Sequence, residues 1–220
     1  NCPRGGNAVT AAFVSNSRSL VYVKLIAAMA MWGGTWVAGR IIAQELSAPL
    51  AVASLRFVLS GLAVGSFMLL SAGRIPVPQT GGDWGLIWAL GFFGIFLYGL
   101  CFFFGLQRIS AGRGALVVAL NPVMVVIAAW LFGQERMTPR KALGSAIALA
   151  GCLTVIDNGD PLALLHGTVG LGEWLIVGCV VSWTAYTFIG RQATKTLSPL
   201  ATTLHGSLVG ALLLGLAALA

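Results

Sequence analysis

Seven stretches of this chain are apolar over roughly twenty residues each, the length needed to cross a hydrocarbon core about 30 Å thick. They run near 20–42, 48–70, 85–106, 113–133, 139–157, 171–190 and 198–220. Inside lipid no water satisfies the backbone, so a spanning segment is either a helix or part of a closed barrel. Strand-like alternation is absent, which argues against a barrel. Composition leads the same way. Hydrophobic residues make up 58% of the chain and charged residues 9%, with a mean hydropathy of +0.91, whereas soluble domains are roughly a quarter charged. The expected fold is an all-α membrane protein, a multi-span helical bundle.

Two of these stretches carry one pattern. Trp32 is followed after six residues by Gly39-Arg40, then by Leu46-Ser47-Ala48-Pro49-Leu50-Ala51. Trp183 is followed after six residues by Gly190-Arg191, then by Leu197-Ser198-Pro199-Leu200-Ala201, with one residue fewer in between. The copies open the first and sixth stretches, a period of five spans. An odd period sets the copies in opposite orientations across a bilayer, and inverted repeats are the architecture of alternating-access carriers. The expected organisation is a cytoplasmic tail over 1–19, a first five-helix repeat over 20–157, an outer loop over 158–170, and the start of a second, inverted repeat over 171–220. A complete second copy would bring the total to ten, so seven helices of an expected ten are in view.

Charge gives the direction, because Lys and Arg gather on the cytoplasmic side. With the N-terminus inside, Arg4, Arg18, Lys24, Arg74, Arg136, Arg140, Lys141, Arg191 and Lys195 fall inside. Arg40, Arg108 and Arg113 fall outside, and Arg56 lies within a span. The formal charge of +7 then reflects orientation and calls for no nucleic-acid partner. Gly167-Thr168-Val169-Gly170-Leu171-Gly172 has the wrong glycine spacing for a dinucleotide fingerprint. Cys2, Cys101, Cys152 and Cys179 lack ligand spacing, so neither a metal nor a disulfide is expected. Two histidines without a paired nucleophile argue against an enzyme. No cofactor is expected; the expected partners are the lipid bilayer and a small-molecule substrate, and the residues leave the oligomeric state open, a monomer included.

A carrier's substrate site belongs near mid-membrane, where a helix is interrupted. Asn121 and Pro122 fall near the middle of the fourth span. Pro122 has no N–H and clashes with the carbonyl of Val118, and the Asn121 amide would be costly unpaired in hydrocarbon. The pair reads either as a polar break facing a cavity or as a kink satisfied by a neighbouring helix. Trp32 and Trp36 lie four apart on one helical face, with Thr35 beside them. Trp183 and Tyr186 repeat that arrangement in the sixth span, with Thr187 beside them. Together with Tyr98 these rings read as a cavity lining or as interhelical packing, and the threonines as cavity hydroxyls or bonds to their own helix. Trp84, Trp88, Trp130 and Trp174 fit the interfacial belt. Arg56 requires a partner or a wet surrounding. It either holds an anionic group or pins helices by bonding carbonyls. His205 sits beside the repeat equivalent of Arg56 and reads as a proton relay or as a neutral hydrogen-bonded ring. Glu45, Asp83, Glu135, Asp157, Asp160 and Glu173 all fall in loops or at span ends, so coupling to protons or sodium is expected to be weak or absent. Gly61-x-x-x-Gly65 and Gly206-x-x-x-Gly210 allow close helix approach.

The fourth and fifth spans carry Ile109-Ser110-Ala111-Gly112-Arg113-Gly114-Ala115-Leu116, Ala119-Leu120-Asn121-Pro122-Val123 and Ala129-Trp130-Leu131-Phe132-Gly133-Gln134-Glu135-Arg136-Met137. With Trp32-Gly33-Gly34-Thr35 and Ser54-Leu55-Arg56-Phe57, this block resembles the EamA-type transporters of the drug/metabolite transporter superfamily. The resemblance covers the chain from about residue 20 onward. It implies ten helices in two inverted five-helix repeats, cytoplasmic termini, and transport of small metabolites. The amino-acid exporters, including those for aromatic amino acids, are the branch it resembles most. Arg113 and Gln134 depart from the family pattern, and Arg113 is expected near the outer mouth, tuning access or snorkelling. The function that follows is a secondary transporter, not an enzyme. It is expected to export small metabolites, amino acids first, across the bacterial inner membrane by alternating access. Drugs, purines or other metabolites, or a small channel, are the alternatives.

Overall fold

In lipid the helix is the local solution to backbone hydrogen bonding, and every regular element among the described residues is helical. The computed structural model describes residues 7–156 and 170–219. Its helices are α1 (Asn7–Glu45), α2 (Pro49–Ala72), α3 (Gly81–Leu106), α4 (Ala111–Leu131), α5 (Pro139–Ile156), α6 (Leu171–Ala193) and α7 (Pro199–Leu219). Local chemistry sets the boundaries. Pro49 sits in the first turn of α2, where its missing N–H costs nothing. Gly73 ends α2 at φ 66°, donating its N–H to Leu69 O, and a residue without Cβ takes that left-handed conformation freely. Thr80 and Asp83 form a reciprocal capping box at the start of α3.

Among the described residues six helices are long and apolar enough to cross a bilayer. The remaining expected span falls on α5, described over Pro139–Ile156. Helix α1 runs from Asn7, inside the segment expected as a tail. The expected outer loop over 158–170 lies almost wholly outside the described residues, as do Asp157, Asp160 and His166.

Helix α3 is the hub and touches α1, α2, α6 and α7, while α4 joins α1 to α6 and supports α5. The contacts also give directions. An ideal Cβ at Gly65 would meet Leu204, one at Gly61 would meet Leu208, and Ser54 Oγ donates to Ala211 O at 2.7 Å. Numbers fall along α2 as they rise along α7, so the two run antiparallel. The C-terminal end of α1 lies at the same end of the bundle as the N-terminus of α6. Arg40 Nη1 donates to Leu106 O and Ile109 O, and Gly172 meets Ile109. Helix α1 and helix α6 therefore also oppose each other, as the odd repeat period requires.

Glycines let α3 approach its neighbours. A Cβ at Gly210 would lie 2.4 Å from Ile95 Cβ, whereas one at Gly206, a turn earlier on α7, would make an ordinary contact at 3.6 Å with Leu90. The α7 motif thus serves α3, while the α2 motif serves α7. Overpacking a tight seam costs about 1–3 kcal/mol. Gly210→Ala is expected to lower the thermal midpoint of the purified protein and Gly206→Ala to leave it nearly unchanged; equal shifts would mean the seam is not tight.

The α4–α5 turn holds an exposed ion pair, Lys141 Nζ to Glu135 Oε2 at 2.6 Å. The hydrogen bond from Lys141, with its positive charge, holds the Glu135 carboxyl below its ordinary value. A depressed carboxylate adds stability above its unfolded pKa and loses it as pH falls through the folded one. Exposed pairs contribute little. Lys141→Met should therefore raise the Glu135 midpoint in an NMR titration towards the ordinary carboxylate range, with little change in thermal stability.

Candidate functional site

Midway along α3 the α-helical ladder opens into a π-helical segment, Phe92–Leu97. Such wide turns re-aim the residues around them and recur at functional sites. At Gly94 a Cβ would lie 2.2 Å from Tyr186 Cδ2, so the Tyr186 ring packs directly against this segment. Tyr186 meets Trp183 at 5.2 Å between ring centroids with the planes tilted by 35°, and Trp183 also meets Tyr98 at 5.9 Å and Trp32 at 6.5 Å. Trp32 and Trp183, which open the two copies of the sequence pattern, thus meet across antiparallel helices.

These rings wall a cavity of about 370 Å³ built by α1, α2, α3, α6 and α7. Of the expected site residues, Trp32, Thr35, Arg56, Tyr98, Trp183 and Tyr186 line it. Among the described residues Arg56 is the one charged group in the lining, and its guanidinium lies 4.7 Å from the centroid of the Phe57 ring. Arg56 has no hydrogen bond or ion pair among the described residues. Ser60, Thr203 and Ser207 add hydroxyls to the wall. Thr203 Oγ1 is already donated to Pro199 O at 2.9 Å, whereas Ser60 and Ser207 make no hydrogen bond among the described residues.

A second cavity of about 360 Å³ lies beside the first and shares Trp32 and Trp183 with it. Asn121 and Pro122 line this one, with Thr187. Helix α4 breaks at Ala119–Leu120 and restarts at Asn121, with Pro122 in the first turn of the new segment. Asn121 is buried, and neither its Oδ1 nor its Nδ2 has a partner among the described residues. An unmatched buried amide costs about 1–3 kcal/mol. The threonines of the two copies behave alike. Thr35 Oγ1 donates to Trp32 O at 2.6 Å and Thr187 Oγ1 to Trp183 O at 2.8 Å, so both hydroxyl protons stay on their own helix.

Two expected site residues lie elsewhere. Trp36 is buried 5.0 Å from the Phe102 ring, filling the space that Gly114 leaves on α4. His205 Nδ1 lies 2.8 Å from Ala201 O and its ring packs edge-on to Trp84 at 5.9 Å, outside both cavities. Arg113 is paired, not snorkelling. It lies 3.3 Å from Glu173, a buried carboxylate that also accepts from Gly170 N at 3.1 Å. At the opposite end Asp83 Oδ1 accepts from Thr196 Oγ1 at 2.6 Å. Each end of the bundle therefore carries a polar tie between the elements of the first copy and those of the second.

The EamA-like transporter family matches residues 19–156. The chain belongs to this family. It is 30% identical to an uncharacterized transporter of Bacillus subtilis, YyaM, over 87% of this chain and 62% of that protein. An uncharacterized transporter of Archaeoglobus fulgidus is 27% identical over 87% of this chain and 64% of its own length. A probable terminal-alkyne amino-acid exporter of Streptantibioticus cattleyicolor is 30% identical over 63% of this chain and 44% of that protein. The chain thus spans less than two thirds of these relatives. No solved structure matches it. Family membership and the six long apolar helices place the chain among the multi-span membrane proteins of a transporter family.

Ser60 and Ser207 line the cavity without having been singled out in the sequence, where hydroxyls are common in any span, and Phe57 entered there only as the last residue of the Ser54–Phe57 motif. The Arg113–Glu173 pair is mostly buried, and removing one partner of such a pair leaves an uncompensated charge that costs about 3–5 kcal/mol. Arg113→Met should therefore lower the thermal midpoint more than the double variant Arg113→Met/Glu173→Met does. A double variant less stable than the single one would show the pair to be unimportant.

Proposed function

We propose that the protein is a secondary transporter that exports small metabolites across the bacterial inner membrane by alternating access, with its N-terminus in the cytoplasm. The observation that carries this is the meeting of Trp32 and Trp183 at 6.5 Å, on antiparallel helices, at the wall of a cavity lined by both copies. A cavity between two oppositely oriented units opens to either side when one unit tilts against the other. Amino acids are the leading substrate class. A guanidinium with no hydrogen bond or ion pair among the described residues suits a carboxylate, the aromatic wall suits an apolar side chain, and one relative is a probable exporter of terminal-alkyne amino acids. The excess of basic residues on one side supports the orientation. None of the described acidic residues lines the cavity, in keeping with weak or absent ion coupling.

A panel of labelled metabolites in proteoliposomes tests the reading. Saturable counterflow of a few compounds is the expected result, and non-saturating flux at very high rates would indicate a pore instead. Asn121→Ala and Trp183→Ala should each lower transport at least ten-fold while retaining folded protein by size exclusion; if both transport like the parent, the site lies elsewhere. Transport that requires an imposed pH gradient would count against uncoupled export.

A further inference from the structure

We propose that the Arg56 cavity selects carboxylates of net charge −1, with an apolar body and an absent or masked amine, over zwitterions of the same shape. This rests on the reading of that cavity as the substrate site, and it narrows amino acids as a class to those whose amine is neutralised.

The argument is a charge inventory. Arg56 brings one positive charge to the middle of a membrane bundle, where charge is costly. The Phe57 face at 4.7 Å attracts the guanidinium but leaves its charge in place. Among the described residues no carboxylate lines the cavity. Every described acid is engaged or distant: Asp83 bonds Thr80 and Thr196, Glu135 pairs with Lys141, Glu173 pairs with Arg113, and Glu45 is exposed at the end of α1. Asp157 and Asp160 lie outside the described residues. A monoanion seated on Arg56 brings the occupied cavity to neutrality, with Ser60 and Ser207 as further donors to its oxygens. A zwitterion leaves the net charge at +1 and holds an ammonium close to the guanidinium, with only hydroxyl oxygens and ring faces to receive it. Like charges at that range repel most where water is excluded.

Three probes with one skeleton separate the cases: phenylalanine, N-acetylphenylalanine and 3-phenylpropionate. Binding to the purified protein is followed by tryptophan fluorescence, since Trp32 and Trp183 form the wall. At pH 7 the two anions should bind at least ten-fold more tightly than phenylalanine. At a pH that deprotonates the amine, phenylalanine becomes a monoanion and the gap should close. Arg56→Gln should weaken both anions at least ten-fold and erase the preference, and Arg56→Lys should keep it. Phenylalanine binding as tightly as the anions at pH 7 overturns the proposal, as does an unchanged preference in Arg56→Gln. If the arginine variants fail to fold, the three-probe comparison on the parent decides alone. If no probe binds while the metabolite panel shows saturable transport, the charge proposal fails and the transporter reading stands. Arg56-dependent anion binding without any transport would instead uphold the charge preference and overturn the export reading.

Discussion

The close approach of α3 to α6 and α7 is the constraint on which the rest of the bundle depends. Glycine supplies it from several helices, most tightly at Gly94 under the Tyr186 ring and at Gly210 under Ile95. Without side chains at these points, the rings of α6 are laid against backbone instead of being held off it. The aromatic cluster around Trp183 and the cavity behind it are consequences of that spacing. In lipid there is no hydrophobic drive between helices, so such van der Waals fit has to hold the helices together.

Polar ties between the two copies close both ends of the bundle: Arg113 and Glu173 at one, Asp83 and Thr196 at the other. Between them lie rings, hydroxyls and one arginine, with Ser54 donating to Ala211 O across the copies. Arg40 adds a tie of a different kind, donating to the carbonyl of Leu106, the last residue of α3, and to that of Ile109 in the turn that follows. The last carbonyls of a helix have no partner within it.

Much of this was legible in the residues. The helical class followed from apolar length, and the opposition of α1 to α6 followed from the odd period of the Trp-Gly-Arg pattern. Arg56 stood out because a charge inside a span has to be explained. Other features left no mark. Trp36 shares a helical face with Trp32 by spacing, yet it turns into the space above Gly114, a partner that spacing does not reveal. His205 looked central by repeat equivalence, but its own backbone and Trp84 hold it away. The π-helical segment is a matter of backbone register, and no residue type encodes it alone.

That segment has a mechanical consequence. A π turn holds one residue more than an α turn, so it offsets the two halves of α3 by about 100° relative to an unbroken helix. The half before it, Gly81–Gly91, keys into α7, and the half after it, Tyr98–Leu106, faces α1 and α6. If the extra residue migrated along the ladder, one half would swivel while the other kept its seat. Helix α3 could then act as a torsional joint, turning Tyr98 and Phe102 like a key without any change in the length of the span.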